Sequence, residues 1–512
     1  MRIGDEVAVR LSGMAHGGAA LGRHENRVVF VRHGIPGESV LLEVTGLGPK
    51  GRYAEARLLQ VLEASPDRRE HPWPAADALR TLHPVGGMEY GHIRPERQRL
   101  LKAEVLREQL VRLGVMDPAD PLLQQLTVED PAALADPAGA DPTGAGTAAV
   151  GDRSGHADRE ASATGGGWRT RVHFAVDEAG RPGMHPYHEE RIIPVERFPL
   201  AVREIQDLGL GAGRFPGVSR IDVAAPTAHG DREADPLILF TAGPEAGAED
   251  LAQLGRKLDA ALDACLPPAA EVSALLQPAR IPGRRDPRPQ PILLRGDDHV
   301  VETLPVPRPD LFDAPAPLRF RVGAGGFWQN HRLAPAALTE TVRELADIRP
   351  GDTVWDLYGG AGLFAALAAD QVGAGGTVWS VEGSPVTSGD ARHNLAGHGP
   401  ARTEGSQGAR VIAQRSAVER ALTRGPRTAT PDVIVLDPPR DGAGRLVMDR
   451  LTAAGARRIV YVACDPAALG RDVGFLRERG WTPSAVRGLD LYPDTHHLEA
   501  VAAFERGPSR SR

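Results

Sequence analysis

Cys464 closes an apolar run, Arg458-Ile459-Val460-Tyr461-Val462-Ala463, and is followed by Asp465-Pro466. The run reads as a buried strand. In an open parallel sheet the carboxyl ends of the strands form the ligand edge, so the thiol would emerge there. A lone cysteine is most often a small buried apolar side chain. This one is one of two in 512 residues, and its neighbours argue for chemistry. Residues 353–358 form another strand-like run, followed by Gly359-Gly360-Ala361-Gly362, where missing side chains let a ligand approach the backbone. Glu382 ends the next run, 26 residues after Asp356, at a spacing suited to binding ribose hydroxyls. That turn fits a nicotinamide nucleotide as well as S-adenosylmethionine. Asp437-Pro438-Pro439-Arg440 ends the apolar run 432–437. Its prolines make a rigid turn without N–H donors, leaving a carboxylate and a guanidinium to face the site.

The elements that must position these groups follow from periodicity. From about 338 onward strands alternate with helices, which predicts an α/β fold with a Rossmann-like, doubly wound parallel sheet. Residues 1 to about 64 are short alternating strands (7–11, 27–31, 38–44 and 56–62) with Gly turns, which predict a small closed β-barrel of OB-like type. Arginines interleaved with acids dot this barrel, as on a solvated surface or on a platform that holds RNA by its backbone. Residues 96–114 have the spacing of an amphipathic helix. Strand-like pieces at 169–174 and 236–240 predict a mixed α+β central domain. Residues 127–167, mostly Ala, Gly, Asp, Pro and Thr, cannot bury enough surface to fold and are expected to be disordered. Residues 280–295 read as an exposed loop. The expected division is 1–64, 65–320 and 321–507.

Composition narrows the class. A net charge of -7 excludes no partner, because a nucleic-acid binder needs only a local basic face. The cations are almost all Arg, which suits bidentate phosphate contacts. Two cysteines cannot build a disulfide framework, and the N-terminus has no apolar signal region. The expectation is a cytoplasmic, monomeric protein with no membrane segment.

Five stretches in order carry a resemblance: Phe327-Trp328-Gln329, Asp356-Leu357-Tyr358-Gly359-Gly360-Ala361-Gly362, Asp437-Pro438-Pro439-Arg440, Tyr461-Val462-Ala463-Cys464-Asp465-Pro466 and Pro493-Asp494-Thr495-His496-His497-Leu498-Glu499. Together they resemble the RNA uracil-C5 methyltransferases, and residues 13–38 resemble the TRAM domain, a small RNA-binding β-barrel. The resemblance implies S-adenosylmethionine as cofactor, held by Gln329, Tyr358, Gly360, Glu382 and Asp437. It implies Cys464 as nucleophile on uracil C6 and Glu499 as the base that removes the C5 proton, with a helix starting near Pro466 to help ionise the thiol. The substrate would be a flipped uridine in a transfer or ribosomal RNA loop. Many members carry cysteines for an iron–sulfur cluster where this chain has His83-Pro84-Val85-Gly86-Gly87-Met88, so no cluster and no other metal is expected. His331 and Gly359 also depart from the usual Asn and Cys. The competing readings are a catalytically altered RNA-binding relative and a nucleobase N-methyltransferase, which needs no nucleophilic cysteine.

Overall fold

The computed structural model describes residues 1–135, 166–226, 235–245, 250–279, 290–304, 317–396 and 408–507. The strands Glu6–Met14, Ala20–His24, Arg27–Val31, Ser39–Leu47 and Tyr53–Glu63 close into a barrel. Alternation builds it: Val9, Leu11, Val29, Val31, Val40, Leu42 and Val44 fill the interior while the residues between them face out. Ala20–His24 is a strand the sequence reading absorbed into a Gly-rich turn. It pairs with Arg27–Val31 through a two-residue turn in which Glu25 (φ 48°) and Asn26 (φ 63°) both adopt the left-handed conformation such hairpins require.

The central part carries a seven-stranded sheet in the order Ile292–Arg295, Ser273–Gln277, Leu237–Ala242, Val218–Ala224, Arg171–Val176, Pro182–Met184 and Ile193–Pro194. Val85 and Met88, within the stretch His83–Met88, are buried in its apolar core with Trp73, Trp168 and Phe198.

The C-terminal sheet has eight strands. Arg410–Arg415, Thr377–Glu382, Thr353–Leu357, Val433–Leu436 and Arg458–Ala463 run parallel in that spatial order. Val354, Val378, Val435 and Val460 point to one face, under the helices Ala334–Ala346 and Leu363–Val372. Trp355, Trp379, Ile434 and Ile459 point to the other, under Gly444–Ala453 and Pro466–Glu478. Both faces are therefore dry, which is why the strands read as near-continuous apolar runs. Chain order reverses between Thr353–Leu357 and Val433–Leu436, and the crevice at that switch point is where such sheets bind ligands.

The sheet is not wholly parallel. Glu499–Arg506 pairs antiparallel with Arg458–Ala463, and Trp481–Leu489 antiparallel with Glu499–Arg506. Val128–Glu129 completes the edge, and Pro131–Ala135 is a short helix. These nine residues (127–135) correct part of the expected disorder. Composition failed there because the segment borrows a partner: Gly488 has no side chain to block Val128, and Arg487 donates to both carboxylate oxygens of Glu129 at 2.8 and 2.7 Å. Residues 136–165 of that segment lie outside the described residues, as do 280–289 of the expected loop; Ile292–Arg295 forms an edge strand. The helix Pro95–Arg112 places Leu106 and Leu110 in the core beneath the C-terminal sheet. Close approach is possible because a Cβ on Gly470 would lie 2.7 Å from the Gln109 carbonyl oxygen. No helix among the described residues is long and apolar enough to cross a membrane.

Candidate active site

A cavity of about 910 Å³ opens at the switch point, and Gln329, Tyr358, Gly360, Glu382, Asp437, Cys464 and Glu499 all line it. Each comes from a strand end or the turn that follows, apart from Gln329, which precedes the helix Ala334–Ala346.

On one side lies the glycine turn. Tyr358 (φ 61°), Gly360 (φ 55°) and Gly362 (φ 97°) bend the chain sharply out of Thr353–Leu357. A Cβ on Gly360 would meet nothing within 4 Å, so the backbone here borders open space. Glu382 is held in a fixed pose, accepting from the Gly360 N–H at 3.0 Å and the Ser384 N–H at 2.5 Å. Gly359 has no room for any side chain: a Cβ would lie 2.3 Å from Ser380 Oγ.

On the other side are the thiol and two acids. In the antiparallel pair, Ala463 lies opposite Ala500, so the next residues outward, Cys464 and Glu499, flank one another. Glu499 is 3% exposed and lies on a strand paired on both sides, not on a surface edge. Burial first, and the Asp437 charge second, push its carboxyl well above the usual range; the Tyr492 hydroxyl donates to it at 3.5 Å. Asp437, bonded by Gln329, is pushed up to about 7 by burial and by Asp356 and Glu382.

Cys464 departs from expectation. The helix Pro466–Glu478 does begin beside it, capped by Asp465, whose Oδ1 accepts from the Ala468 N–H at 2.8 Å. The thiol is nevertheless pushed up to about 12, by burial, then by Glu499 and Asp437, with only Arg440 opposing among the leading influences. In the empty cavity all three groups are thus held toward their neutral forms. A cationic ligand placed among them would favour their charged forms.

Three further residues that were not expected to be site residues line the cavity, although His497 lies within a stretch that carries the resemblance. Arg169 enters from the central part, largely buried. Tyr492 and His497 belong to the same segment as Glu499 and line the cavity beside it. Glu89, His496 and His497 bring ligating atoms within 4.8 Å of one another, but the Glu89 carboxylate is already bonded by the His496 imidazole.

No protein-family model matches the chain. It is 34% identical over 504 residues to an uncharacterized RNA methyltransferase of Streptomyces avermitilis, covering 98% of this chain and 99% of that one. It is 36% identical over 506 residues to an uncharacterized RNA methyltransferase of Streptomyces coelicolor, covering 98% and 93%. Among solved structures, the fold matches the tRNA (uracil-54, C5)-methyltransferase of Pyrococcus abyssi in complex with S-adenosyl-L-homocysteine. That match has a TM-score of 0.59 and 16% identity, over 98% of this chain and 99% of that one.

Proposed function

The chain belongs to the RNA methyltransferases, and from that premise we propose that it methylates C5 of a uridine in transfer or ribosomal RNA. The observation that carries the proposal is the pairing of the Cys464 thiol with the Glu499 carboxyl in one cavity with the glycine turn. A methyltransferase acting on nitrogen needs neither group, whereas C5 of uracil needs both.

The chemistry follows from the base. C5 is a poor nucleophile until a thiolate adds to C6, which turns the C5–C6 bond and its carbonyl into an enolate. Cys464 Sγ forms that bond to C6. S-adenosylmethionine, when bound, supplies the methyl group that C5 takes. Glu499 then removes the C5 proton, and the electron pair returns to C5–C6 as Sγ leaves. Tyr492, bonded to Glu499, orients the base.

The residues fit the cofactor. The open space at Gly360 admits a ligand against the backbone, and Glu382 at the strand end suits ribose hydroxyls. Gln329 and Tyr358 wall the same space, and the Asp437 and Glu382 carboxyls line it, where a sulfonium and an amine would favour their charged forms. A base stacked in a helix cannot reach a thiol at the end of a buried strand, so the target uridine would be flipped out of a loop.

The test uses transfer and ribosomal RNA carrying 5-fluorouridine, incubated with the protein and S-adenosylmethionine. Fluorine cannot leave as a proton, so a working Cys464 traps a covalent protein–RNA adduct on a denaturing gel. An adduct lost in Cys464→Ala supports the proposal, and the RNA that shifts names the substrate. No adduct with either RNA, in a protein that binds the cofactor, refutes it.

A further inference from the structure

The turn at residues 15–19, between the barrel strands Glu6–Met14 and Ala20–His24, reaches the neighbourhood of Cys464 from a distant part of the chain. His16 Nε2 meets Asp465 Oδ2 at 2.9 Å, across 449 positions of sequence. Gly18 packs against the catalytic segment so closely that a Cβ there would lie 2.6 Å from the His496 Cβ. The turn has one defined shape: Ala15 N–H donates to the Ala19 carbonyl at 2.8 Å, Gly18 N–H to the Ala15 carbonyl at 3.1 Å, and Arg32 to the Gly17 carbonyl at 3.0 Å. Behind it lies a pocket of about 110 Å³, walled by His16, Gly17 and Gly18 on one side and by Cys464, Asp465 and Arg440 on the other. Cys464 therefore borders two spaces, and barrel residues form one wall of the second.

Asp465 serves two partners at once. Oδ1 caps the helix Pro466–Glu478, and Oδ2 takes His16. Its charge, next to the nucleophile, adds to those of Glu499 and Asp437 in keeping the thiol protonated, while Arg440 opposes them. An imidazolium on Asp465 shields the thiol from that charge. The hydrogen bond that His16 donates to Asp465 raises its pKa above the ordinary histidine value, against the effect of burial. Arg112 and Glu108, on the neighbouring helix Pro95–Arg112, also face His16 and have opposite signs.

We infer that His16 is a positioning residue of the catalytic centre: bonded to Asp465, its imidazolium offsets the carboxylate beside Cys464 and favours the thiolate. The barrel then completes the nucleophile's surroundings. This rests on the reading of Cys464 as the nucleophile, and it is tested by a measurement that does not require RNA methylation.

The measurement is the rate at which iodoacetamide alkylates Cys464 in the full-length protein, followed by mass spectrometry of its peptide across about pH 6 to pH 9. Cys265 serves as the internal reference thiol. His16→Ala and His16→Gln are expected to slow Cys464 by about threefold at the acidic end. They should merge with wild type once the imidazole has lost its proton. Asp465→Asn, which still caps the helix, is expected to react faster than wild type, and adding His16→Ala to it should change nothing further. His16 variants that follow wild type at every pH overturn the inference, and so does a change of equal size at every pH, the mark of packing alone. Because the readout is alkylation, the inference can stand where the C5 assignment fails, and can fail where that assignment stands.

Discussion

Lys102→Met probes how the segment that carries Glu499 is held in place. The Lys102 and Asp490 side chains are 1% and 3% exposed, and Nζ lies 2.5 Å from Asp490 Oδ1 and 2.9 Å from the Tyr492 carbonyl oxygen. Methionine keeps most of the apolar stem and removes the charge, leaving a buried carboxylate without its cation. Breaking one partner out of a buried pair costs about 3–5 kcal/mol, most of it the penalty of the orphaned charge. Adding Asp490→Asn removes that charge, so the double variant should recover about half of the loss or more. Urea unfolding followed by tryptophan fluorescence measures both, because Trp355, Trp379 and Trp481 are buried in the core beneath this sheet. A cost below about 1 kcal/mol for Lys102→Met, or a double variant no more stable than the single one, would refute the assignment of this pair as an electrostatic anchor of the segment.

Glu499→Gln should lower turnover by about 10²–10⁴-fold. It should also accumulate a covalent adduct with ordinary uridine RNA, seen on a denaturing gel, because methylated C5 keeps its proton. Asp356, 1% exposed and pushed up to about 7 mainly by burial, keeps a proton that the unfolded chain gives up near 3.8. Its penalty on the native state is absent at low pH, grows as pH rises past the unfolded value and levels off above about 7, at as much as about 4 kcal/mol. Asp356→Asn should therefore stabilise the ligand-free protein at least twice as much at pH 8 as at pH 5, read by thermal melts; a gain independent of pH contradicts it. S-adenosylmethionine, a sulfonium, should speed alkylation of Cys464 by about threefold or more relative to S-adenosylhomocysteine, which fills the same space without the charge. Equal rates with both ligands would remove the electrostatic account of the thiol.

Elements buried on both faces were the most legible from sequence. Thr377–Glu382 and Arg458–Ala463 match their apolar runs residue for residue, since no solvated face interrupts the pattern. Trp481–Leu489 escaped because Pro483, Ser484 and Gly488 read as loop, and its pairing shifts register between Pro483 and Ala485. Arg169 reaches the cavity from a distant segment, which no local periodicity encodes. The pairing of Cys464 with Glu499 was implied by resemblance, but its physical cause is the register that sets Ala463 against Ala500. The ionisation of the thiol is set by more than the local signal. The local signal, a helix start at Pro466, is real, while the opposing charges arrive from Asp437 and Glu499 on other strands.

Those opposing charges give the site a logic that the helix start alone would not. A thiol that ionised freely in the empty protein would be exposed to oxidation and to any electrophile. Here Glu499 and Asp437 raise the cost of charging Cys464, Asp437 raises that of Glu499, and Asp356 and Glu382 raise that of Asp437, so the empty site favours its protonated forms. A positive ligand entering beside Asp437 lowers that cost for all of them together, because each is coupled to the same local potential. In the proposed mechanism, activation of the nucleophile and readiness of the base then depend on the methyl donor being in place. On this reasoning the buried acids that make the free thiol a poor nucleophile are also what ties its reactivity to a loaded site.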